Sequence, residues 1–201
     1  MDIIDKSEYT NEDFTNIDLS EKTIKGCKFT DCSFKNANME DLTTQGCIFS
    51  NCNFTSARMN SSIHKNSAFT NCRFTYANLF SASFIENKMI GSSFAEANVA
   101  GLTITKGDWS YTSLKLCSLK KLDLRDVRLV KADLFKCNME KADLRGADLT
   151  QAVLGQAIFK GADLREAKLD GVDLKSIDLR GAKIDIAQAI LLAQAYGAIV
   201  V

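Results

Sequence analysis

A large apolar residue recurs at every fifth position of this chain from Tyr9 to Ile184, without a single insertion. Of these 36 anchor positions, only Thr44 and His64 are not large and apolar. The residue two before an anchor is usually small, and Asp or Asn often stands between them, as in Ala142-Asp143-Leu144. A period of five fits neither an α-helix nor a flat strand. A chain that turns through about a quarter circle every five residues keeps all anchors inside, which predicts a four-sided solenoid.

Four such units make a coil of about 20 residues, and successive coils stack about 4.8 Å apart as parallel strands do. Anchors one coil apart should therefore form columns. One column predicts an aromatic ladder that is continued by leucines: Phe14, Phe34, Phe54, Phe74, Phe94, Leu114, Leu134, Leu154 and Leu174. The change from Phe to Leu keeps the register. We therefore expect one uninterrupted all-β rod, a quadrilateral parallel β-helix of about nine coils over residues 9–184, with residues 1–8 as its N-terminal cap.

The last segment, residues 185–201, departs from the repeat and predicts a helix. Asp185 can act as its N-cap in a capping box with Gln188, and Gly197 can supply the left-handed residue that ends it. Apolar side chains cover most of its circumference: Ile186, Ala189, Ile190, Leu192, Ala193 and Tyr196. A helix of this kind must be buried, and the end of a solenoid must be protected from edge-to-edge growth. We expect the segment to cap the rod and to form a dimer.

These residues resemble the pentapeptide-repeat proteins, which form right-handed quadrilateral β-helices. The resemblance covers residues 9–184, and the tail is similar to that of Qnr-type members, which protect DNA gyrase and topoisomerase IV from quinolones and dimerise end to end through this helix. It implies a cytoplasmic homodimer that binds gyrase, topoisomerase IV or both. The alternative is a pentapeptide-repeat scaffold that binds another protein without acting on topoisomerases. The tail favours the first interpretation.

Charge favours the second interpretation, because Qnr-type protection is associated with an acidic surface that resembles DNA. Here 25 Lys and Arg residues balance 25 Asp and Glu residues. Residues 1–100 hold 9 basic and 12 acidic side chains, and residues 101–201 hold 16 and 13. A neutral chain without an interleaved aromatic series gives no reason to expect direct nucleic-acid binding. No apolar run is long enough to span a membrane, and the start MDIIDK is unlike a secretory signal.

Seven cysteines occupy the small inward position, two before an anchor: Cys27, Cys32, Cys47, Cys52, Cys72, Cys117 and Cys137. At that position a thiol substitutes for alanine in the core. Their spacings are multiples of five and include no CxxC pair, so no zinc site is expected. Cysteines one coil apart, such as Cys32 and Cys52, should lie about 4.8 Å apart, which is wider than the Cβ separation that a disulfide prefers. We expect seven buried, reduced thiols.

His64 is the chain's one histidine and stands at an anchor position. Two arrangements are possible. In the first, a neutral imidazole lies inside the rod, hydrogen-bonded to a residue such as Thr44. In the second, the coil is distorted, with Ile63 turned inward and His64 outward. No nucleophile or orienting group accompanies His64, so we expect no catalytic, cofactor-binding or metal-binding residues and no enzyme.

Two surfaces are candidates for protein contacts. Around the irregular anchor and nearby outward apolar residues we expect partner binding through Ile63, His64, Lys65, Phe80 and Ile85. For the dimer we expect the tail residues Ile186, Ile190, Ala193 and Tyr196, assisted by the outward Phe135 and Val153.

Overall fold

The computed structural model describes residues 3–201, which form a four-sided solenoid followed by a helix. Each side of a coil is a short extended segment of about five residues. The strands are β1 Glu8–Thr10, β2 Thr23–Lys25, β3 Lys28–Thr30, β4 Thr43–Gln45, β5 Ile48–Ser50, β6 Ile63–Lys65, β7 Ala68–Thr70, β8 Ser83–Ile85 and β9 Thr103–Thr105. A 3-10 turn at Leu174–Ser176 and helix α1 at Ile186–Ala195 complete the chain.

Residues one coil apart pair in parallel on all four faces. Face 1 holds the sheet β1-β3-β5-β7, and face 4 holds β2-β4-β6-β8-β9. Faces 2 and 3 are ladders of single bridges that begin at Asp13↔Ser33 and Asp18↔Asn38. The predicted fold class is confirmed: the chain is a right-handed quadrilateral parallel β-helix with a C-terminal helix.

The expectation of an uninterrupted rod was wrong in one respect. On face 3, bridging stops at Asn98 and resumes at Ser118. On face 4, β9 is the last strand of its sheet, and bridging resumes at Asp123. Faces 1 and 2 continue past this level. The anchor register set by the sequence determines which side chains point inward, but it leaves the distance between coils free to vary.

Aromatic stacking fills the N-terminal half of the interior. Along the predicted Phe column, the ring centroids of Phe54 and Phe74 lie 4.9 Å apart and those of Phe74 and Phe94 lie 4.8 Å apart, with the rings nearly parallel. Rings of the neighbouring column meet them edge-on, as Phe49 meets Phe54 at 5.5 Å. Both geometries are favourable for aromatic pairs. The aromatic ladder is therefore confirmed, and it ends where Trp109 stacks on Phe94 at 5.5 Å.

Nearly every corner turns through a residue in the left-handed region, two positions after an anchor. The corner after Leu174 differs, because the 3-10 turn Leu174–Ser176 forms it. Glycine supplies the left-handed residue at some corners, for example Gly46 with φ 61° and Gly161 with φ 72°. At the other corners residues with side chains adopt φ between 48° and 65°. Asn and Asp tolerate this conformation best, and several N-terminal corners use them, as at Asn11 and Asp31.

Both ends of the rod are covered. The predicted N-terminal cap begins at residues 1 and 2, which lie outside the described part of the chain. Within the cap, the backbone N–H of Ile4 donates to the hydroxyl of Tyr9 at 2.9 Å, and Asp5 accepts from the backbone of Lys25 at 2.8 Å. At the other end the predicted capping box is present, since Asp185 and Gln188 bond each other's backbone N–H.

Candidate functional site

His64 lies inside the rod, so the first of its two possible arrangements is confirmed. Its side chain is fully buried, while β6 pairs regularly with β4 and β8 through Thr44↔His64 and His64↔Phe84. The coil is not distorted, and Ile63 faces outward. Because the imidazole has no exposed surface, the expectation that His64 itself contacts a partner was wrong. Its side chain packs in the core beneath face 4, the face formed by β4, β6 and β8.

Polar side chains from two coils satisfy the buried imidazole. Nδ1 of His64 lies 2.8 Å from the hydroxyl of Thr44, and Nε2 lies 3.0 Å from the hydroxyl of Ser62. The Ser62 hydroxyl donates its hydrogen to the carbonyl of Met59 at 2.6 Å. Ser62 must therefore accept from Nε2–H, and Nδ1 must accept from Thr44. The network selects the neutral Nε2–H tautomer.

Neighbouring side chains extend this network to the backbone. The amide of Asn87 donates to the carbonyl of His64 at 2.8 Å and accepts from the backbone N–H of Ser67 at 2.6 Å. Burial lowers the pKa of His64 to about 3, because the charged form would lose its hydration. At neutral pH the ring is uncharged and held in place, and its burial keeps it out of contact with any substrate, which suits a structural role.

The outward members of the predicted partner-binding set fall on face 4 and its adjoining corner. Lys65 and Ile85 are register neighbours on β6 and β8, and Ile63 lies at the start of β6. Phe80 lies at the corner just before β8 and is 51% exposed. Ile63 and Ile85 are half-buried, and Lys65 is exposed. The structure thus brings three of these residues onto one face, with Phe80 at its edge.

The predicted dimer residues are divided between face 2 and the tail. On α1 and just beyond it, Ile186 and Tyr196 are largely exposed, Ile190 is 36% exposed, and Ala193 is half-buried. Val153 is exposed on face 2. Phe135 is half-buried, because its ring lies over Gly155, where a Cβ would come within 3.2 Å of it. Its own rod therefore covers part of Phe135.

Helix α1 is attached to the last coils by its polar face. The side-chain amide of Gln188 donates to the carbonyls of Leu164 and Ala167. Asp185 accepts from the backbone N–H of Glu166 at 2.7 Å. Leu191 and Leu192 pack against the core. This attachment covers the end of the ladder and turns the remaining apolar residues of the helix toward solvent.

All seven cysteines are buried and unpaired, as expected. Within residues 3–201, six of the thiols, all except that of Cys137, donate to backbone carbonyls, as Cys72 does to the carbonyl of Phe49 at 3.3 Å. Burial raises the pKa of Cys47 and of Cys117 to about 11. Such thiols hold their protons at neutral pH and are poor nucleophiles.

Four acidic side chains of the C-terminal half are paired with arginines two residues later. The guanidinium of Arg165 bonds Asp163 at 2.7 Å and lowers the pKa of that carboxyl to about 2. Asp123, Asp143 and Asp178 form the same pair with Arg125, Arg145 and Arg180. In the N-terminal half, two ion pairs join the described residues, Lys28–Glu8 and Arg58–Glu40. Acidic side chains without an ion pair among the described residues are therefore densest in the first coils, where residues 5–41 hold seven of them, against six in residues 101–201.

Residues 3–201 contain no group of three or more His, Cys, Asp or Glu side chains arranged to hold a metal ion. Over the same range, neither the length nor the apolarity of any helix is enough for it to cross a membrane. One further feature was missed by sequence reasoning. Two clefts open where faces 3 and 4 are interrupted, and no break in the anchor pattern marks them.

Comparison with known proteins identifies the repeat and the fold. The family model for pentapeptide repeats matches residues 112–151 and 147–184. The search of curated proteins finds no significant match. Two trypsin-treated variants of QnrB1, a plasmid-mediated fluoroquinolone resistance protein, match over 96% of this chain and 97% of theirs at 24% identity, with TM-scores of 0.86 and 0.85. Full-length QnrB1 matches at 21% identity over 95% of this chain and 100% of its own, with a TM-score of 0.75.

Proposed function

We propose that this chain, in which residues 112–184 match the pentapeptide-repeat family and which has the fold of QnrB1, binds DNA gyrase, topoisomerase IV or both and protects them from quinolones. The observation that carries the proposal is the match of the whole rod, including the C-terminal helix, to a fluoroquinolone resistance protein over nearly all of both chains. A rod whose interior is filled with side chains acts by presenting its surface, and the buried neutral His64 fits this mode of action.

Two features of the surface support this mode of binding. The first coils carry acidic side chains that form no ion pair within residues 3–201, among them Asp18, Glu21 and Asp41. Such a cluster suits a protein surface that normally binds DNA phosphates. Further along the rod, Ile63, Ile85 and Phe80 supply apolar contact area, which is the usual source of affinity at an interface.

A supercoiling assay tests the proposal. Purified protein should restore gyrase supercoiling in the presence of ciprofloxacin, and expression in a susceptible bacterium should raise fluoroquinolone tolerance. Phe80→Asp and Ile85→Asp should each weaken protection roughly tenfold, because a charge would replace an apolar contact. Ile48→Asp is the matched control, since Ile48 is a similarly exposed isoleucine on face 1. If the protein neither inhibits supercoiling nor restores it, the proposal is wrong.

A second candidate function is supported by the charge distribution. The chain has zero net charge, and Asp–Arg pairs neutralise the carboxylates along face 4 of the C-terminal half. A surface of this kind is a poor mimic of DNA and suits a scaffold for some other protein. This candidate predicts normal quinolone sensitivity in cells and no effect on purified topoisomerases.

A further inference from the structure

The solenoid is open on two of its four sides at one level. We call this opening the seam; it separates residues 95–106 from residues 115–126 on faces 3 and 4. On the other two faces the ladder is intact, since Trp109 donates to the carbonyl of Arg128 at 2.7 Å and Ser113 donates to that of Ser92 at 2.9 Å. The coils are thus joined along one half of their circumference and separated along the other half.

Unpaired backbone groups line the seam. One coil earlier, the N–H groups of Leu79 and Ser81 donate across the ladder to Asn98 and Ala100 at 2.8 and 2.9 Å. At the seam, the equivalent N–H groups of Val99 and Gly101 donate no backbone hydrogen bond within the described residues. The same holds for the N–H groups of Glu96, Ile104 and Lys106 on this edge, and of Ser118 and Asp123 on the opposite edge. Backbone groups of this kind require water or another partner.

The seam opens into two clefts. The cleft on face 4 has a volume of about 590 Å³ and is lined by residues 101–106 together with Lys121, Leu122, Asp123, Arg125 and Asp126, so that its three basic side chains outnumber its two acidic ones. The cleft on face 3 has a volume of about 460 Å³, and its lining is mainly apolar, with Ala97, Val99 and Leu116. The clefts therefore offer room for side chains beside the free backbone edge.

The seam coincides with the change in core filling. Trp109 is the last aromatic anchor before the leucines and is fully buried. Its ring lies edge-on to Phe84 at 5.6 Å and stacks on Phe94 at 5.5 Å, so its contacts are with the Phe-filled side. Within residues 3–201 its indole Nε1 has no hydrogen-bond partner. The Phe-filled and Leu-filled halves of the rod thus meet at the level where pairing on faces 3 and 4 is interrupted.

We propose that the seam binds an extended peptide segment of a partner protein, which pairs with the free edge of β9 as an added parallel strand. An extended polypeptide carries alternating donors and acceptors at the spacing that the N–H and C=O groups of this edge require. The opposite edge of β9 already pairs in this way with β8. This proposal does not depend on the proposed topoisomerase function. The partner segment is recognised by its backbone and by the charge and size of its side chains.

Charge and shape define the segment. Lys106 and Lys121 line the cleft on face 4, are exposed, and form no ion pair within residues 3–201. Arg125 is already paired with Asp123 at 2.6 Å. An acidic side chain of the segment would therefore meet the two lysines, while a small apolar one would enter the cleft on face 3. The paired stretch must lack proline, which has no N–H to donate.

Amide hydrogen exchange followed by NMR tests this site on the full-length protein. Without peptide, the amides of Val99, Gly101 and Ile104 should exchange rapidly, whereas those of Leu79, Ser81 and Phe84 one coil earlier should be protected. The probe is a set of proline-free peptides. They are selected from a displayed random library for binding to the protein. A selected peptide should slow exchange at the seam amides roughly tenfold or more, and replacing its paired residues by proline should abolish the effect.

Charge-reversal variants test whether Lys106 and Lys121 contribute to peptide binding. Lys106→Glu combined with Lys121→Glu should weaken binding of an acidic selected peptide roughly tenfold. Lys141→Glu is the matched control, because Lys141 occupies the same corner one coil beyond the seam. Slow exchange of the seam amides in the free protein would overturn the proposal, since the edge would then be closed. It would also be overturned if no selected peptide protected those amides.

Discussion

The hydroxyl of Thr44 donates to Nδ1 of His64 across one coil of the rod, at 2.8 Å, with both residues fully buried. Thr44 and His64 are the two anchors that break the apolar pattern, and the structure shows that they form a pair. A lone polar anchor would leave a buried group unsatisfied, which costs free energy. Two polar anchors in one column satisfy each other, so the interruption of the pattern is compensated within the core.

His64 makes the stability of the rod depend on pH. Its pKa in the folded protein is about 3, below the value of about 6.5 for an unfolded chain. Between these values the unfolded state binds a proton that the folded state does not. The free energy of unfolding is therefore fully retained above about pH 6.5, and below it falls by about 1.4 kcal/mol per pH unit. Urea denaturation at a series of pH values measures this slope.

His64→Leu provides the comparison, because carboxylates also contribute to stability in acid. The variant restores an apolar anchor, and the difference between the two curves isolates the imidazole. We expect the variant to lose less stability than the wild type as the pH falls from about 6.5 to about 4. Parallel curves for both proteins would contradict the buried neutral assignment.

The cysteines should be nearly inert in the folded protein. All seven are buried, and burial raises the pKa of Cys47 and Cys117 to about 11, so the reactive thiolate is scarce at neutral pH. Titration with a chromogenic disulfide should report few thiols in native protein and seven after unfolding. Val153→Cys is the positive control, since Val153 is exposed, and it should add one rapidly reacting thiol. Rapid labelling of most native thiols would refute the packing.

Gly107 should be among the least replaceable residues of the rod. Its φ is 96°, and a Cβ there would lie 2.3 Å from the backbone oxygen of Asn87. Gly107→Ala must therefore move backbone, and we expect it to destabilise the protein by about 3 kcal/mol or more. Gly46→Ala is the matched comparison, because its φ is 61° and no atom lies within 4 Å of the added Cβ. It should cost about 1 kcal/mol, and equal effects in thermal denaturation would contradict this reasoning.

Most features that the sequence predicts depend on which way a side chain points. Period five predicted the Phe54–Phe74 stack and the inward cysteines. The capping box of Asp185 and Gln188 was equally local. The orientation of His64 remained open, because the groups that hold it belong to other coils, such as Thr44 and Asn87. The seam could not be predicted, since the register of Val99 and Ile104 is regular and only the separation between coils changes.

The exposed apolar face of the tail leads to a prediction about assembly. Ile186 is 81% exposed and Tyr196 is 69% exposed in the single chain, although the polar face of α1 is bonded to the rod through Gln188. Burying these side chains against a second copy would remove them from water, so we expect a homodimer through residues 185–201. Ile190→Asp should weaken dimerisation roughly thirtyfold or more. Ile48→Asp, near the other end of the rod, should leave it unchanged. Sedimentation velocity at micromolar concentration measures both, and a monomeric wild-type protein would show that the tail serves only as a cap.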